Sequence, residues 1–311
     1  MDALPPPSTM ADTLLSAAAT AARLPYPELA AEIAALLADD TVVVPPRLVQ
    51  PLPGGGSLFV MPAHDATVAI TKLITFTPAN AGSARATIQG DVVVFDIATG
   101  TRRLVLDGPT VTARRTAAVS LLAAQRLAPR PDGALLIVGA GVQGRAHLEA
   151  FAAGLGVKEA WICSRSAASA QGLAAHARSL GLAARVVDDP AAALAHCPLV
   201  VTATPASAVV LDAAPRSDAF IAAVGAFTPR MVELGAQMCR ELHARGTVVV
   251  DTGDAGHEAG DLLQAGIDVA ALPALAAVLA GEPVRPPGPV LFKSCGWAGW
   301  DLAAARLAVR G

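Results

Sequence analysis

The second half of the chain alternates short apolar runs with longer segments of helical composition. The apolar runs predict buried strands at 134–138, 159–163, 184–187, 199–202, 220–224 and 247–251. The segments between them predict helices at 143–155, 167–180, 190–195 and 231–245. Strands and helices in this alternation form a parallel sheet that is covered on both faces. We therefore predict an α/β fold with a Rossmann-type, doubly wound parallel sheet.

The first part of the chain has a different pattern, in which strand-like runs follow one another without helices between them. Residues 1–8 read as a proline-rich tail, and two helical segments follow at 11–22 and 27–38. Strands are predicted at 41–44, 57–61, 66–76, 87–96 and 101–106, the last two joined by a turn at 98–100. A helix at 112–127, capped by Thr110 or Thr112, leads into the parallel sheet. A strand at 290–293 and a helix at 299–309 end the chain.

One stretch in the second half carries a specific chemical signal. The strand at 134–138 runs directly into Gly139-Ala-Gly141-Val142-Gln143-Gly144, and a helix follows. This G-x-G-x-x-G pattern between a strand and a helix is the dinucleotide fingerprint. Its glycines permit the tight turn, the approach of a pyrophosphate and close packing of helix on strand. The helix N-terminus then presents N–H groups and a positive dipole end to the phosphates.

The end of the next strand indicates which dinucleotide is preferred. An NAD-binding site places an acidic residue there to hold the ribose 2′-hydroxyl. This chain has Ser164-Arg165-Ser166 instead, and an arginine between two hydroxyls suits a 2′-phosphate. We therefore favour NADP(H), with NAD(H) as the alternative. Thr202 and Thr204, at the end of the fourth strand, lie where such folds contact the ribose on the nicotinamide side.

Composition narrows the function classes. The net charge is −3, aromatic residues make up only 4% and no basic run occurs, so we expect no nucleic-acid partner. No apolar run reaches the ~18 residues that span a bilayer, and the N-terminus lacks the features of a signal peptide, so we expect no membrane and a cytoplasmic location. The four cysteines form no C-x-x-C pair, so we expect no metal.

A few charged residues in the first part of the chain could carry chemistry. Lys72 lies in an otherwise apolar strand, where burial of an ammonium group is costly unless the group is paired or functional. Period-2 alternation could equally place it on a solvent-exposed face. Arg47 follows two prolines and could bind a carboxylate. Of the adjacent Arg114 and Arg115, at most one is expected to face a site. We assign no role to His147.

These motifs together resemble the ornithine cyclodeaminase/mu-crystallin family over nearly the whole chain. The resemblance rests on the order and spacing of Val60-Met-Pro62, Thr71-Lys-Leu73, Leu106-Asp-Gly108, Val111-Thr-Ala-Arg-Arg-Thr-Ala-Ala118, Gly139–Gly144, Val224-Gly-Ala226 with Glu233-Leu234, and Phe292-Lys-Ser294 with Asp301. It implies a β-rich α+β domain for substrate binding and dimerisation, formed by residues 1–115 with 290–311, and a Rossmann domain formed by residues 116–289. It also implies a homodimer.

The resemblance assigns roles residue by residue. It matches Lys72 to the family's active-site lysine and Arg47 and Arg115 to its substrate-carboxylate arginines. It places Met61 with the substrate residues. The cofactor residues that we assign are Gly139, Gly141, Val142, Gln143, Gly144, Ser164, Arg165, Ser166, Thr202, Thr204 and Ser294.

One position departs from the ornithine cyclodeaminases, which have an aspartate where this chain has Phe227. Phenylalanine cannot pair with an ammonium group, so the departure favours a less polar substrate such as a cyclic imine. The chain looks most like the Δ1-pyrroline-2-carboxylate reductase branch. The implied activity is NAD(P)H-dependent reduction of Δ1-pyrroline-2-carboxylate or Δ1-piperideine-2-carboxylate to L-proline or L-pipecolate. The alternatives are an ornithine cyclodeaminase, an alanine dehydrogenase-like enzyme acting on an amino acid, and a non-catalytic NADPH-dependent binder of a small ligand.

Overall fold

A computed structural model describes residues 14–80, 83, 85–205, 207–282 and 284–311. The predicted tail at 1–8 and the start of the predicted helix at 11–22 lie outside these residues. The chain divides into two compact units. The described residues up to Arg115 form the first unit together with Ala298–Gly311, and Thr116–Trp297 forms the second.

The helices and strands of the described residues are numbered in chain order. The helices are α1 Ala17–Ala22, α2 Tyr26–Leu37, α3 Gly108–Leu127, α4 Val142–Leu155, α5 Ala167–Ser179, α6 Pro190–Leu194, α7 Ala236–Arg245, α8 Gly260–Gln264, α9 Leu275–Ala280 and α10 Ala298–Ala308. The strands are β1 Leu48–Leu52, β2 Gly56–His64, β3 Val68–Phe76, β4 Ile88–Asp96, β5 Arg102–Asp107, β6 Leu135–Val138, β7 Glu159–Cys163, β8 Ala183–Val186, β9 Leu199–Thr202, β10 Ser207–Leu211, β11 Phe220–Ala223, β12 Val232–Leu234, β13 Thr247–Val250 and β14 Val290–Lys293. None of these described helices combines the length and the apolar character needed to cross a bilayer.

The first unit is built on an antiparallel sheet in the order β1-β2-β3-β4-β5. Alternate residues of β3 point to one face, and Val68, Ile70 and Ile74 are buried there. Lys72 shares this face and is 1% exposed, so of the two alternatives the buried position is the correct one. Helix α10 packs on β2 and β3 and against α2. The last helix of the chain therefore covers the face that carries Lys72.

The second unit contains a seven-stranded parallel sheet in the order β13-β14-β11-β9-β6-β7-β8. The chain runs outward in one direction from β6 to β8 and then returns to place β9 on the other side of β6. Ligands of such sheets bind at this reversal, outside the carboxyl ends of the strands. This confirms the predicted Rossmann-type sheet and locates its crevice between β6 and β9.

Two predicted helices begin at residues other than those predicted. The helix predicted at 231–245 begins only at Ala236, because Val232–Leu234 forms a strand that pairs with β10. The helix predicted from residue 112 begins at Gly108, where the Asp107 carboxylate accepts a hydrogen bond from the Thr110 amide, so neither predicted threonine is the cap. The first difference arises from a partner strand far away in sequence, whereas the second arises from a local cap, Asp107, that the sequence analysis did not identify.

Three further differences concern the start and the end of the chain. The strand predicted at 41–44 reduces to a single bridge between Val43 and His64. Helix α1 begins at Ala17, after the capping residue Ser16. The strand Val290–Lys293 lies between β11 and β13 in the parallel sheet, so the chain returns to the first unit near residue 298 and not at 290 as predicted.

Candidate active site

Each glycine of the fingerprint stretch has different structural surroundings. Gly139 has φ +114°, and a Cβ there would lie 2.4 Å from the Ala203 carbonyl oxygen at the end of β9. A Cβ at Gly144 would lie 1.9 Å from the Gly139 carbonyl oxygen. Both positions therefore require glycine to close the turn. A Cβ at Gly141 would meet no atom within 4 Å, so the space beside this residue is open.

This turn fits the pyrophosphate of a dinucleotide. Gly141 precedes helix α4, and no side-chain hydrogen bond caps that helix end. Val142, its first residue, is 71% exposed, and Gln143 is half-buried. The N-terminus of α4 therefore offers its N–H groups beside an open glycine, as anion binding at a helix end requires. The turn follows β6 and contacts the loop after β9, which places it at the reversal of the sheet.

The loop after β7 carries the residues predicted to select the cofactor. Ser164 is half-buried, whereas Arg165 and Ser166 are exposed. The Ser166 hydroxyl caps α5 by accepting a hydrogen bond from the Ser169 amide at 3.2 Å. Ser166 thus has a local structural role, while Arg165 extends from a second helix N-terminus. The loop itself holds no carboxylate.

A buried carboxylate organises the loops that follow β9 and β11. Glu233 accepts hydrogen bonds from the Thr204 amide at 2.6 Å, the Thr204 hydroxyl at 2.8 Å and the Gly225 amide at 2.7 Å. It also accepts from the Thr202 hydroxyl at 3.0 Å. Burial raises the pKa of Glu233, while the Lys293 charge and the bonds from Thr204 oppose the rise. Glu233 therefore fixes both strand ends beside the crevice.

Two further buried side chains, Lys293 and Asp261, hold the backbone that carries Glu233. The Lys293 ammonium lies 2.7 Å from Asp261 Oδ2, and both side chains are fully buried. Asp261 Oδ1 accepts hydrogen bonds from the backbone amides of Glu233 and Leu234. Burial tends to lower the pKa of Lys293, but the negative charges of Asp261 and Glu233 outweigh it and raise the pKa. These groups hold the short strand β12 in place.

Ser294 lies close to this network and is buried. Its hydroxyl donates to Asp251 Oδ2 at 2.8 Å, and the same oxygen accepts from the amides of Cys295 and Gly296. The hydroxyl thus serves the fold, and a cofactor role for Ser294 stays a prediction. Sequence reasoning missed Asp251 and Asp261.

The first unit has a compact cluster of charges on the buried face of its sheet. Lys72 Nζ donates to Asp301 Oδ1 at 3.0 Å, and Arg115 Nε lies 3.4 Å from the same oxygen. Lys72 is 1% exposed, Asp301 is 0% exposed and Arg115 is 7% exposed. Cross-strand neighbours Met61 and Val92 flank Lys72 on the same face and are buried. The charged groups therefore lie beside the apolar side chains of Met61 and Val92.

The electrostatics of this cluster favour an anionic ligand. Burial, together with the positive charges of Arg115 and Arg47, lowers the pKa of Lys72 to about 8, although Asp301 opposes the fall. Arg47 is half-buried and lies close enough to Lys72 to act on its charge. Lys72 and Arg115 thus share one carboxylate, that of Asp301. A ligand carboxylate would neutralise part of the remaining positive charge.

The adjacent arginines point to different places, as their helical spacing predicted. Arg115 faces Asp301. Arg114 donates from Nε to the Leu24 carbonyl oxygen at 2.6 Å, and its guanidinium lies 3.9 Å from the centre of the Tyr26 ring. Arg114 therefore joins α3 to the start of α2, and Arg115 is the one that faces the charge cluster.

Other titratable groups have structural surroundings. His147 is buried, with Nδ1 2.8 Å from the Gln143 carbonyl oxygen and Nε2 3.0 Å from the Ser120 hydroxyl. Burial lowers its pKa to about 4, so it is neutral at pH 7. The four cysteines are free and buried. In the part of the chain that the structure describes, no group of three or more His, Cys, Asp or Glu side chains could hold a metal ion.

Comparison with known proteins identifies the family. The sequence model of the ornithine cyclodeaminase/mu-crystallin family matches residues 14–310. The chain belongs to this family. Delta(1)-pyrroline-2-carboxylate reductase 1 of Burkholderia multivorans is 42% identical over 299 residues, which cover 95% of this chain and 94% of that protein. The Delta(1)-pyrroline-2-carboxylate/Delta(1)-piperideine-2-carboxylate reductase of Azospirillum brasilense is 40% identical over 299 residues with the same coverage.

A solved structure also matches this member of the ornithine cyclodeaminase/mu-crystallin family. It is that of Thermococcus litoralis Delta(1)-pyrroline-2-carboxylate reductase in complex with NADH and L-proline, with a TM-score of 0.87 and 24% identity. The match covers 96% of each chain. At this level of identity the likeness establishes the fold. The family and the fold predicted from the motifs are therefore both confirmed.

Within this family member, the structure brings together the residues predicted to bind substrate. Lys72, Arg115 and Met61 meet on one sheet face, and Arg47 lies near them. Asp301 and Glu233 entered the sequence argument only as parts of family motifs, without a role. A buried acid has no signal of its own in a sequence; only the solitary Lys72 in an apolar strand indicated that a carboxylate partner was required.

Proposed function

We propose that this protein catalyses the NAD(P)H-dependent reduction of a cyclic imine, Δ1-pyrroline-2-carboxylate or Δ1-piperideine-2-carboxylate, to L-proline or L-pipecolate. The observation that carries the proposal is the buried Lys72, held by Asp301 beside Arg115 on an apolar face. Such a site has a cation to donate a proton and an arginine to bind a carboxylate. Relatives of 40–42% identity that span nearly the whole chain bear names of this activity.

The residues divide the work on the substrate. Arg115 and Arg47 bind its carboxylate, because a guanidinium offers paired donors to two oxygens. Met61 supports the apolar part of the ring from the neighbouring strand. Lys72 donates a proton to the ring nitrogen, since a protonated imine accepts a hydride more readily. A pKa of about 8 leaves Lys72 charged at pH 7 and able to give up its proton.

The second unit holds the cofactor. In this proposal Gly139, Gly141, Gly144 and the start of α4 bind the pyrophosphate. Thr204, which follows β9, contacts the ribose on the nicotinamide side. NAD(P)H, when bound, supplies the hydride that the reduction requires. The protein side chains orient the imine and donate the proton to its nitrogen.

We further propose a preference for NADPH. It is supported by the exposed Arg165, which lies just before the capping residue Ser166 of α5 in a loop without an acidic residue. Arg165→Ala is expected to raise KM for NADPH about tenfold or more and to change KM for NADH little, because only NADPH carries the 2′-phosphate. Equal effects on both cofactors would contradict this role. The cytoplasmic location stays a prediction.

We also propose that the chain forms a homodimer through the first unit. The face of the antiparallel sheet opposite Lys72 carries the apolar side chains of Leu48, Val60, Leu73, Val93, Phe95 and Val105. Leu48 is 58% exposed, Leu73 45% and Phe95 37%. Exposed apolar side chains on one face of a sheet are typical of an interface. Leu73→Glu is expected to yield a monomer by light scattering, whereas Leu180→Glu, at an equally exposed leucine of the second unit, leaves the mass unchanged.

The activity is tested by following the oxidation of NADPH with chemically prepared Δ1-pyrroline-2-carboxylate. Parallel reactions contain NADH, ornithine without added reductant, or pyruvate with ammonia. Rapid oxidation with the cyclic imine is the expected result. Ammonia released from ornithine would instead identify a lyase, and would mean that Phe227 does not exclude this reaction. Tight NADPH binding without turnover of any substrate would identify a binding protein.

A further inference from the structure

Asp301 is placed to control both cations of the charge cluster. It lies near the start of α10, and a single oxygen, Oδ1, is within 3.0 Å of Lys72 Nζ and 3.4 Å of Arg115 Nε. Its side chain is fully buried. The two cations come from elements far apart in sequence, strand β3 and helix α3. One carboxylate oxygen therefore sets their relative position.

The cluster has buried hydrogen-bonding atoms that its own members leave unused. Asp301 Oδ2 is buried and has no hydrogen-bond partner among the described residues. In the same part of the chain, the Lys72 ammonium makes one hydrogen bond, to Asp301, although it has three N–H donors. Unpaired buried polar atoms are costly, so they are expected where a polar ligand completes the set.

We propose that Asp301 is the positioning residue of the substrate site, which holds Lys72 and Arg115 in place and keeps Lys72 charged for proton transfer. The inference rests on the proposed reduction of a cyclic imine. In that reaction Lys72 gives one proton to the ring nitrogen, the hydride of NAD(P)H goes to the adjacent carbon, and Lys72 regains a proton from water. Asp301 keeps its negative charge throughout and acts through Lys72.

The other groups around Lys72 disfavour its charged form, so Asp301 is needed to keep it charged. Lys72 faces Arg115 from α3 and Arg47 from the segment before β1, and both disfavour its charged form, as does its burial. Its neighbours on β2 and β4 are the apolar Met61 and Val92. Asp301 is the one group that acts in the opposite direction among those that influence Lys72. Its removal should therefore release the proton of Lys72 at a lower pH.

The first test is the pH profile of kcat/KM for Δ1-pyrroline-2-carboxylate with NADPH, compared between the wild type and Asp301→Asn. The alkaline limb is expected to move down by about 1 to 3 pH units, the usual effect of an adjacent opposite charge. At pH 8 this corresponds to a loss of about 5-fold to several-hundred-fold, and to a smaller loss at pH 6. Asp301→Glu, which keeps the charge, is expected to restore the limb.

A second measurement avoids activity altogether. The chain contains three lysines, Lys72, Lys158 and Lys293. Lysine labelled with carbon-13 at Cε therefore gives three NMR signals, and Lys72→Arg identifies the signal of Lys72. In Asp301→Asn its titration midpoint is expected to fall by the same amount as the alkaline limb, while the signal of the exposed Lys158 does not move.

Asp39→Asn is the matched control. Asp39 Oδ2 lies 2.8 Å from Arg306 Nη1 on the same helix, α10, so this variant weakens an anchor of the helix without touching the cluster. It should leave both the Lys72 titration and the pH profile unchanged. If Asp301→Asn does not fold, Asp301→Ser is the second uncharged variant.

The outcomes separate the two proposals. A loss of activity in Asp301→Asn that is uniform across pH, with an unmoved Lys72 titration, would overturn the positioning role. A wild-type protein that does not reduce the imine would refute the proposed function, yet the NMR titration would still decide whether Asp301 controls Lys72.

Discussion

Replacing Lys72 by methionine should make the protein more stable and nearly inactive. Burial and the two arginines bring the pKa of Lys72 from 10.5 to about 8 even with Asp301 beside it. Each pKa unit corresponds to about 1.36 kcal/mol, so the charged lysine costs the folded state up to about 3 kcal/mol at pH 7. Methionine has a similar length and no charge, and it would lie beside Met61 and Val92 on the same apolar face.

The sign of the effect depends on pH. Below pH 8 both the folded and the unfolded lysine are charged, so the whole cost is present. Between pH 8 and 10.5 the folded state binds fewer protons than the unfolded state, and the stability of the wild type rises with pH. The advantage of Lys72→Met should therefore be largest at pH 7 and should shrink toward pH 10.

The assay is urea unfolding at pH 7 and pH 10, followed by the fluorescence of the three tryptophans, of which Trp300 is buried in the first unit. The midpoint of Lys72→Met is expected to exceed that of the wild type at pH 7. Its kcat for the imine should fall about 10²- to 10⁴-fold, the range for loss of a general acid, while NADPH binding changes little. The exposed Lys158→Met serves as control and should stay within about 0.5 kcal/mol.

A lower stability of Lys72→Met at pH 7 would refute the electrostatic reasoning, because it would mean that the ion pair with Asp301 outweighs burial. Retention of most of the activity would refute the catalytic role independently. The two results come from separate measurements, so one can fail without the other.

Two other pairs of variants test the sites. Gly144→Ala should lower the free energy of unfolding, measured by thermal denaturation, by about 1–3 kcal/mol, since its Cβ would overlap the Gly139 carbonyl oxygen. Gly141→Ala should fold normally but bind NADPH more weakly in a fluorescence titration. Arg115→Met should raise KM for the imine at least about tenfold through loss of a charged hydrogen bond, and Arg114→Met should lower stability without changing KM. Equal KM values for the two arginine variants would contradict the assignment.

Interactions that are local in sequence made much of this protein predictable. The glycine pattern after β6 is a local feature, because both the turn and the helix end form within a few residues of Gly139. The alternation of apolar runs and helical segments likewise indicated the parallel sheet, since a strand buried on both faces must be apolar throughout. The spacing of Arg114 and Arg115 was enough to show that only one could face a site.

Tertiary structure alone decided the features that depend on distant partners. The short strand β12 replaces the first turn of a predicted helix because Asp261 and β10 bind its backbone. Strand β14 enters the middle of the parallel sheet, and so moves the boundary between the units.

The same holds for the protonation of Lys72. Its side chain could have faced solvent by alternation alone, but α10 covers that face and brings Asp301 from 229 positions away. The sequence by itself therefore determined which residue types were present and which local turns they form. The burial and the charges that give those residues their chemistry arise only when separate parts of the chain pack together, because solvation and Coulomb energy depend on distance in space.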